Sequence, residues 1–310
     1  MKKIILANPR GFCAGVDRAI TIVEKALEKY GAPVYVRHEV VHNKYVVDGL
    51  VERGAIFIED IKDVPAGSIL IYSAHGVPLS VRDEAQSKNL TMIFDATCPL
   101  VSKVHVEIRN LYRQGYTIIM IGHKGHPEVE GTMGQVADHI HLIEHEADID
   151  NLELPRDIQK IAVVTQTTLS VDETKSIIEK LKKTFPNLKL PKNEDICYAT
   201  QNRQDAVKAM AESCDAVIVI GSKNSSNSNR LKELAENLGV KSYLIDFDYE
   251  IQPEWLNEVS SVGVTAGASA PEVLVEGVIN RLRGLGYSTT ESLSVVEEHM
   301  TFALPSELRS

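Results

Sequence analysis

No stretch of this chain approaches the roughly 20 consecutive apolar residues that a membrane span requires. The apolar run Ile4-Ile5-Leu6-Ala7 leads straight into Asn8-Pro9-Arg10-Gly11, too short for a signal-peptide core and without a small-residue cleavage site. Basic charge is also scarce: 33 Lys and Arg stand against 43 Asp and Glu, a formal net charge of −10. No broad positive field exists for nucleic acid or an anionic membrane, so an anionic ligand has to be held by local donors. Walker loops and dinucleotide fingerprints are missing, and ATP and NAD are therefore not indicated. Cysteine is limited to four in 310 residues, at 13, 98, 197 and 214. These absences point to a soluble, cytoplasmic protein. Disulfides are disfavoured in that compartment, so a cysteine in an unusual setting is a candidate for metal binding or catalysis.

What is present reads as alternating strands and helices. Ile4-Leu6, Val34-Val36, Ile69-Tyr72, Ile118-Ile121, Ile161-Val164, Ala216-Ile220 and Ser261-Val264 are short apolar runs, mostly β-branched. Loops of Gly, Ser, Thr, His and Asn follow them, and then usually helical periodicity. That order predicts α/β architecture with mainly parallel sheets buried on both faces. Three of the cysteines each precede an apolar helical stripe. Val16, Ala19, Ile20, Val23, Ala26, Leu27 and Tyr30 follow Cys13; Val101, Val104, Ile108, Leu111 and Tyr112 follow Cys98; Ala206, Val207 and Met210 follow Cys197. The spacing between these cysteines is about one small α/β domain. The chain thus divides into 1–97 with Cys13, 98–195 with Cys98, 196–283 with Cys197, and a C-terminal tail, 284–310, packed over the other domains. Boundaries fall at 95–99 and in the polar stretch 185–195.

A helix N-terminus lowers a thiol's pKa, and the thiolate is the metal-binding form. Three thiolates sharing one cubane cluster leave one iron without a protein ligand, a position open to substrate. Cys214 falls in register with Val207 and Met210 and reads as core. The loops 73–76, 122–128, 165–168, 221–228 and 265–269 lie at expected strand ends, where open α/β sheets bind ligands. Their small hydroxyl residues, Asn and helix-start amides suit phosphate oxygens, although N-capping is the commonest use of such residues. Glu128, two residues beyond His126, is a candidate proton donor. A carboxyl sharing a pocket with a negatively charged ligand has its pKa raised. A rival reading is a zinc hydrolase on His38-Glu39-Val40-Val41-His42, an HExxH match. It extends the β-branched run Val34-Tyr35-Val36, which disfavours the helix that this zinc chemistry needs. A second rival is a non-catalytic redox sensor associated with RNA, against which the acidic charge argues.

Several motifs together resemble one enzyme family. They are Asn8-Pro9-Arg10-Gly11-Phe12-Cys13-Ala14-Gly15-Val16, Arg37 through Asn43, Ser73-Ala74-His75-Gly76-Val77, Asp95-Ala96-Thr97-Cys98-Pro99 and Gly122 through Gly131. Thr165 through Leu169, Asp195 through Thr200, Ser222 through Ser228 and Thr265 through Pro271 complete the set. The family is that of 4-hydroxy-3-methylbut-2-enyl diphosphate reductases, and the resemblance spans roughly residues 4–283. It implies three small α/β domains in a trefoil around a central [4Fe-4S] cluster, ligated by Cys13, Cys98 and Cys197. It implies diphosphate contacts from His42, His75, His126, Ser225, Ser226, Asn227 and Ser269, with Thr167 and Glu128 near the substrate hydroxyl. The implied reaction is the reductive loss of an allylic hydroxyl as water, giving isopentenyl and dimethylallyl diphosphates. A ferredoxin- or flavodoxin-type protein is implied as electron donor.

Overall fold

In the computed structural model, residues 2–191 and 194–309 are described, so residues 192 and 193 of the expected polar boundary lie outside them. The first stretch contains β1 (Lys3–Asn8), α1 (Ala14–Tyr30), β2 (Val34–Arg37), α2 (Lys44–Glu52), β3 (Ala55–Ile58), β4 (Ile69–Tyr72), α3 (Leu79–Ser87) and β5 (Met92–Asp95). The middle contains α4 (Pro99–Arg113), β6 (Thr117–Ile121), α5 (Pro127–Met133), β7 (Ile140–Ile143), β8 (Ile161–Thr165), α6 (Val171–Thr184) and β9 (Leu188–Lys189). The last stretch contains α7 (Tyr198–Ala211), β10 (Ala216–Ile220), α8 (Ser226–Asn237), β11 (Lys241–Ile245), β12 (Ser261–Ala266), α9 (Glu272–Gly284) and β13 (Thr289–Ser294).

The strands form three sheets, ordered β11-β10-β12-β1-β13, β3-β2-β4-β5 and β7-β6-β8-β9. Every strand pairing is parallel. The three-fold α/β expectation is therefore met. In each sheet the second strand in space comes first: a β-α-β unit runs outward to the edge, and the chain then returns through short 3-10 turns to the strand on the other side. This puts a topological switch point between β10 and β12, between β2 and β4, and between β6 and β8, the usual place for a ligand crevice. Buried β-branched residues drive these interior strands together. All of β10, β12, β8 and β4 is buried, as a parallel sheet covered by helices on both faces demands.

Sheet membership departs from the chain-order division at both ends. β1, at the start of the expected 1–97 domain, pairs with β12 and belongs to the sheet built mainly from the last third. Within the expected tail 284–310, Thr289–Ser294 forms β13 and pairs along the whole of β1. The reason is topological: each sheet needs a strand beside its switch-point strand, and for the sheet of β10–β12 the chain's first strand fills that place. By compactness the chain falls into two units. One contains 1–17, 41–49 and 198–301, and the other contains 18–40, 50–197 and 302–310.

Candidate functional site

The three sheets repeat one local device. A cysteine follows the strand next to the switch-point strand: Cys13 after β1, Cys98 after β5, Cys197 after β9, each directly before a helix. Its amide N–H then donates to a carbonyl two residues past the end of the neighbouring strand. Cys13 N donates to Ala268 O (3.2 Å), Cys98 N to Ala74 O (3.0 Å) and Cys197 N to Thr167 O (3.0 Å). These carbonyls belong to or adjoin Ser269, His75 and Thr167, so the loop that orients each cysteine also carries an expected site residue. None of the four cysteines is in a disulfide, and Cys13, Cys98 and Cys197 are partly buried. Cys214 differs. Helix α7 stops at Ala211, so Cys214 lies past its end rather than on it, yet it still packs on the apolar cluster of Ala206, Val207 and Met210. Burial, then Asp215, pushes its thiol up to about 12, which suits an inert core cysteine.

The crevice between β6 and β8 encloses a carboxyl. Glu128 is on the first turn of α5, 3% exposed. Its Oε1 accepts from Thr167 N (2.6 Å) and its Oε2 from Thr167 Oγ1 (3.1 Å). Burial pushes this carboxyl up to about 7, helped by nearby Asp195 and opposed by the two Thr167 donors. His126 caps α5, its Nδ1 accepting from Glu128 N (3.1 Å). In the neutral ring that bond leaves the proton on Nε2, which becomes a donor. The His75 ring meets the His126 ring edge-on at 5.7 Å. They meet because α5 lies against the turn of Gly76, whose φ is +78°. A Cβ on Gly131 would come within 3.1 Å of the Gly76 carbonyl, so any side chain there would press the two segments apart by a few tenths of an ångström.

The crevice between β10 and β12 is built from hydroxyl and amide side chains. Ser225 caps α8, accepting from Ser228 N (3.3 Å) and Ser228 Oγ (3.0 Å), while its own hydroxyl proton remains to donate. The capping use and a ligand-binding use are thus compatible. Ser226 begins α8 and is partly buried. Asn227 is 4% exposed, and both Nδ2 and Oδ1 lack a hydrogen-bond partner among the described residues. Such buried orphans cost roughly 1–3 kcal/mol each, so they persist where a ligand satisfies them. Ser269 Oγ donates to His42 O (2.8 Å), and Asn224 Nδ2 lies 3.4 Å from His42 Nδ1. His42, Ser269 and Asn224 therefore form one cluster in this unit. A Cβ on Gly267 would lie 2.1 Å from Ser228 Oγ; glycine there lets the two loops close.

Of three further buried polar residues, Gln166 and Asp195 fall within sequence motifs that give them no role, and His105 escaped the sequence reading. Gln166, fully buried, accepts from His123 N (3.0 Å) and donates to Thr168 Oγ1 (2.9 Å), binding the loop after β6 to that after β8. Asp195 accepts from Thr165 N (3.0 Å), and burial, with nearby Glu107, raises it to about 7. His105 lies under the Gly76 turn, where burial, with Arg82 and Arg109, lowers it to about 4 and keeps it neutral. Its signal was in plain view: a histidine on the α4 stripe beside Val101, Val104 and Ile108.

The zinc reading fails on backbone shape. His38 sits at φ 60°, residues 38–43 carry no helix, and α2 begins only at Lys44. An i, i+4 pair of histidines on one helical face does not exist here. Among the described residues, no group of three or more His, Cys, Asp or Glu side chains lies together as a single bound ion would require. No helix among them is long and apolar enough to cross a membrane.

Comparison with known proteins gives a consistent result. The family model described as LytB protein matches residues 4–283. The 4-hydroxy-3-methylbut-2-enyl diphosphate reductase of Aromatoleum aromaticum is 60% identical over 309 residues, covering 100% of this chain and 98% of that protein. The reductase of the same name from Chromobacterium violaceum is 61% identical over 308 residues, covering 99% and 98%. Among solved structures, the E-1-hydroxy-2-methyl-but-2-enyl-4-diphosphate reductase from Plasmodium falciparum superposes with a TM-score of 0.95 at 40% identity, covering 99% of this chain and 96% of that one.

Proposed function

The chain belongs to the LytB protein family, and from that premise we propose that it is an oxidoreductase of isoprenoid biosynthesis. It removes the allylic hydroxyl of 4-hydroxy-3-methylbut-2-enyl diphosphate as water, with two electrons and two protons, giving isopentenyl and dimethylallyl diphosphates. The observation that carries this reading is the Glu128–Thr167 pair: a buried carboxyl poised near 7, hydrogen-bonded twice to one residue.

The donor set fits an iron–sulfur group. Cys13, Cys98 and Cys197 are soft ligands, each at a helix start and each fixed by its amide to a crevice loop. A [4Fe-4S] cluster bound there would supply electrons one at a time and an open iron for the substrate oxygen. Cys214→Ser should leave iron content unchanged.

The remaining work falls to side chains. Glu128 holds a proton near neutral pH and, when neutral, donates it in a hydrogen bond to Thr167 Oγ1; as the Thr167 hydroxyl gives its own proton to the leaving hydroxyl, the Glu128 proton moves onto Oγ1 and leaves a carboxylate. The pair thereby delivers a proton to the leaving hydroxyl. His126, presenting Nε2–H, joins His75 and His42 in holding the diphosphate, with Ser225, Ser226, Asn227 and Ser269 as neutral donors. Neutral donors suit a chain of net charge −10, in which the anion is captured locally. Electrons come from a one-electron carrier of ferredoxin or flavodoxin type, and the protein works in the cytoplasm.

The test is a single-turnover assay without oxygen, using reduced protein and 4-hydroxy-3-methylbut-2-enyl diphosphate. Formation of the two five-carbon diphosphates is expected. Binding of the diphosphate with no product from fully reduced, iron-loaded protein would overturn the proposal.

A further inference from the structure

Two arginines occupy matching places behind two of the cysteines. Arg203, on α7, has a fully buried side chain. Its Nε and Nη2 donate to Gly11 O (3.1 and 2.6 Å), and Nη2 also reaches Phe12 O (3.3 Å). Phe12 O belongs to the peptide whose nitrogen is that of Cys13. Arg18, on α1, donates through Nη1 to Thr97 O (3.2 Å) and through Nη2 to Asp95 O (3.3 Å). Thr97 O belongs to the peptide whose nitrogen is that of Cys98. Each of these peptide planes is thus held at both ends, by a guanidinium on its carbonyl and by a loop carbonyl on its N–H. A peptide pinned at both ends fixes the direction of the following Cα–Cβ bond, and so the aim of the thiol.

Both arginines are completed by the C-terminal segment, beyond the residues that the family model matches. Glu298 receives Arg203 Nη1 (3.0 Å) and Nη2 (3.4 Å), and also Asn202 Nδ2 (2.9 Å). Without Glu298 the guanidinium would be a buried charge lacking a counter-ion, a costly arrangement. Arg18 Nε donates to Ala303 O (2.8 Å). The tail is therefore more than a cover: at two points it orients a cation that orients a cysteine.

We propose that Arg203 and Arg18 are positioning residues for the Cys13 and Cys98 thiols, and that Glu298 and the Ala303 carbonyl of the tail hold the two clamps in place. This rests on the reading of those cysteines as cluster ligands. Neither arginine is among the proposed cluster ligands or diphosphate contacts, and the tail gains a part in cofactor retention.

The test uses full-length protein purified without oxygen. Iron is drawn off with a ferrous chelator while iodoacetamide traps each thiol as it is released, and peptide masses give the labelling rate at every cysteine. Cys197, held on Thr167 O, is the internal reference. Glu298→Ala is expected to speed labelling of Cys13 about tenfold relative to Cys197, the scale of one charge-assisted hydrogen bond, and to leave Cys98 unchanged. Arg18→Gln is expected to do the reverse, speeding Cys98 alone. Arg203→Lys keeps the charge but cannot span Gly11 O, Phe12 O and Glu298 at once; it should mimic Glu298→Ala. General loosening of the fold would speed all sites together, so equal acceleration at the three cysteines would overturn the clamps. So would an unchanged labelling order with normal iron content. Absence of iron from the unmutated protein would instead overturn the cluster reading, and the clamps with it.

Discussion

The crevice between β6 and β8 and the crevice between β10 and β12 treat a buried polar group in opposite ways. In the first, both oxygens of Glu128 are satisfied by Thr167, and the cost of burial appears as a raised pKa. In the second, the Asn227 amide is equally buried but finds no partner among the described residues. An ionisable group escapes burial cost by keeping its proton; a neutral amide has no such escape and carries the cost until a ligand supplies partners. The difference is the one expected between a group suited to moving a proton and one suited to binding, although both sit at switch points of like topology.

The largest effect is expected from Glu128→Gln. Glutamine copies the shape of the protonated acid and can keep both Thr167 bonds, but it has no proton to give. Turnover should fall about 10²- to 10⁴-fold, while diphosphate affinity measured by calorimetry stays within a few-fold. Unchanged turnover would remove Glu128 from the mechanism. Asn227→Ala should act the other way: KM rises about tenfold, the worth of one or two hydrogen bonds, with a smaller change in kcat. Its thermal stability should hold or rise, because the substitution deletes an unsatisfied buried amide; marked destabilisation would mean that the amide is already bonded.

Two smaller effects follow from the proton on Glu128. With the acid as the proposed active form, kcat should fall as pH rises through about 7, and this limb should vanish from the residual rate of Glu128→Gln. Folding stability carries the same sign. A carboxyl whose folded pKa lies above its unfolded value of 4.5 helps the fold least at high pH. Relative to Glu128→Gln, the unmutated protein should lose stability between pH 4.5 and about 7, followed by denaturant unfolding at each pH. A gain in that window would contradict the raised pKa.

The interior of each sheet was legible in the sequence and its margins were not. The seven apolar runs correspond to β1, β2, β4, β6, β8, β10 and β12, the strands with neighbours on both sides. Burial on two faces forces an unbroken β-branched run, which is easy to read. The strands outside those seven runs, β3, β5, β7, β9, β11 and β13, lie at sheet edges. There burial thins even where the strand is apolar, as at the exposed Ile56 of Ala55–Ile58, and Thr289–Ser294 has no buried residue. The same limit hid the place of β1: pairing across nearly the whole chain leaves no local trace.

The candidate site residues on switch-point loops stood out because Ser, Asn, His and Gly cluster there. Arg203 and His105 were less visible because they occupy positions on helical stripes that packing reserves for apolar side chains. A charged or titratable residue within an apolar stripe, such as Arg203 among Ala199, Ala206, Val207 and Met210, is the signal that exposes them.

The central claim is that three cysteines from three like sheets serve one iron–sulfur group. It is tested most directly by assaying iron, acid-labile sulfide and zinc on one sample purified without oxygen. About four iron and four sulfide per chain are predicted, the content of one cubane cluster. About one zinc per chain with no sulfide would contradict the account.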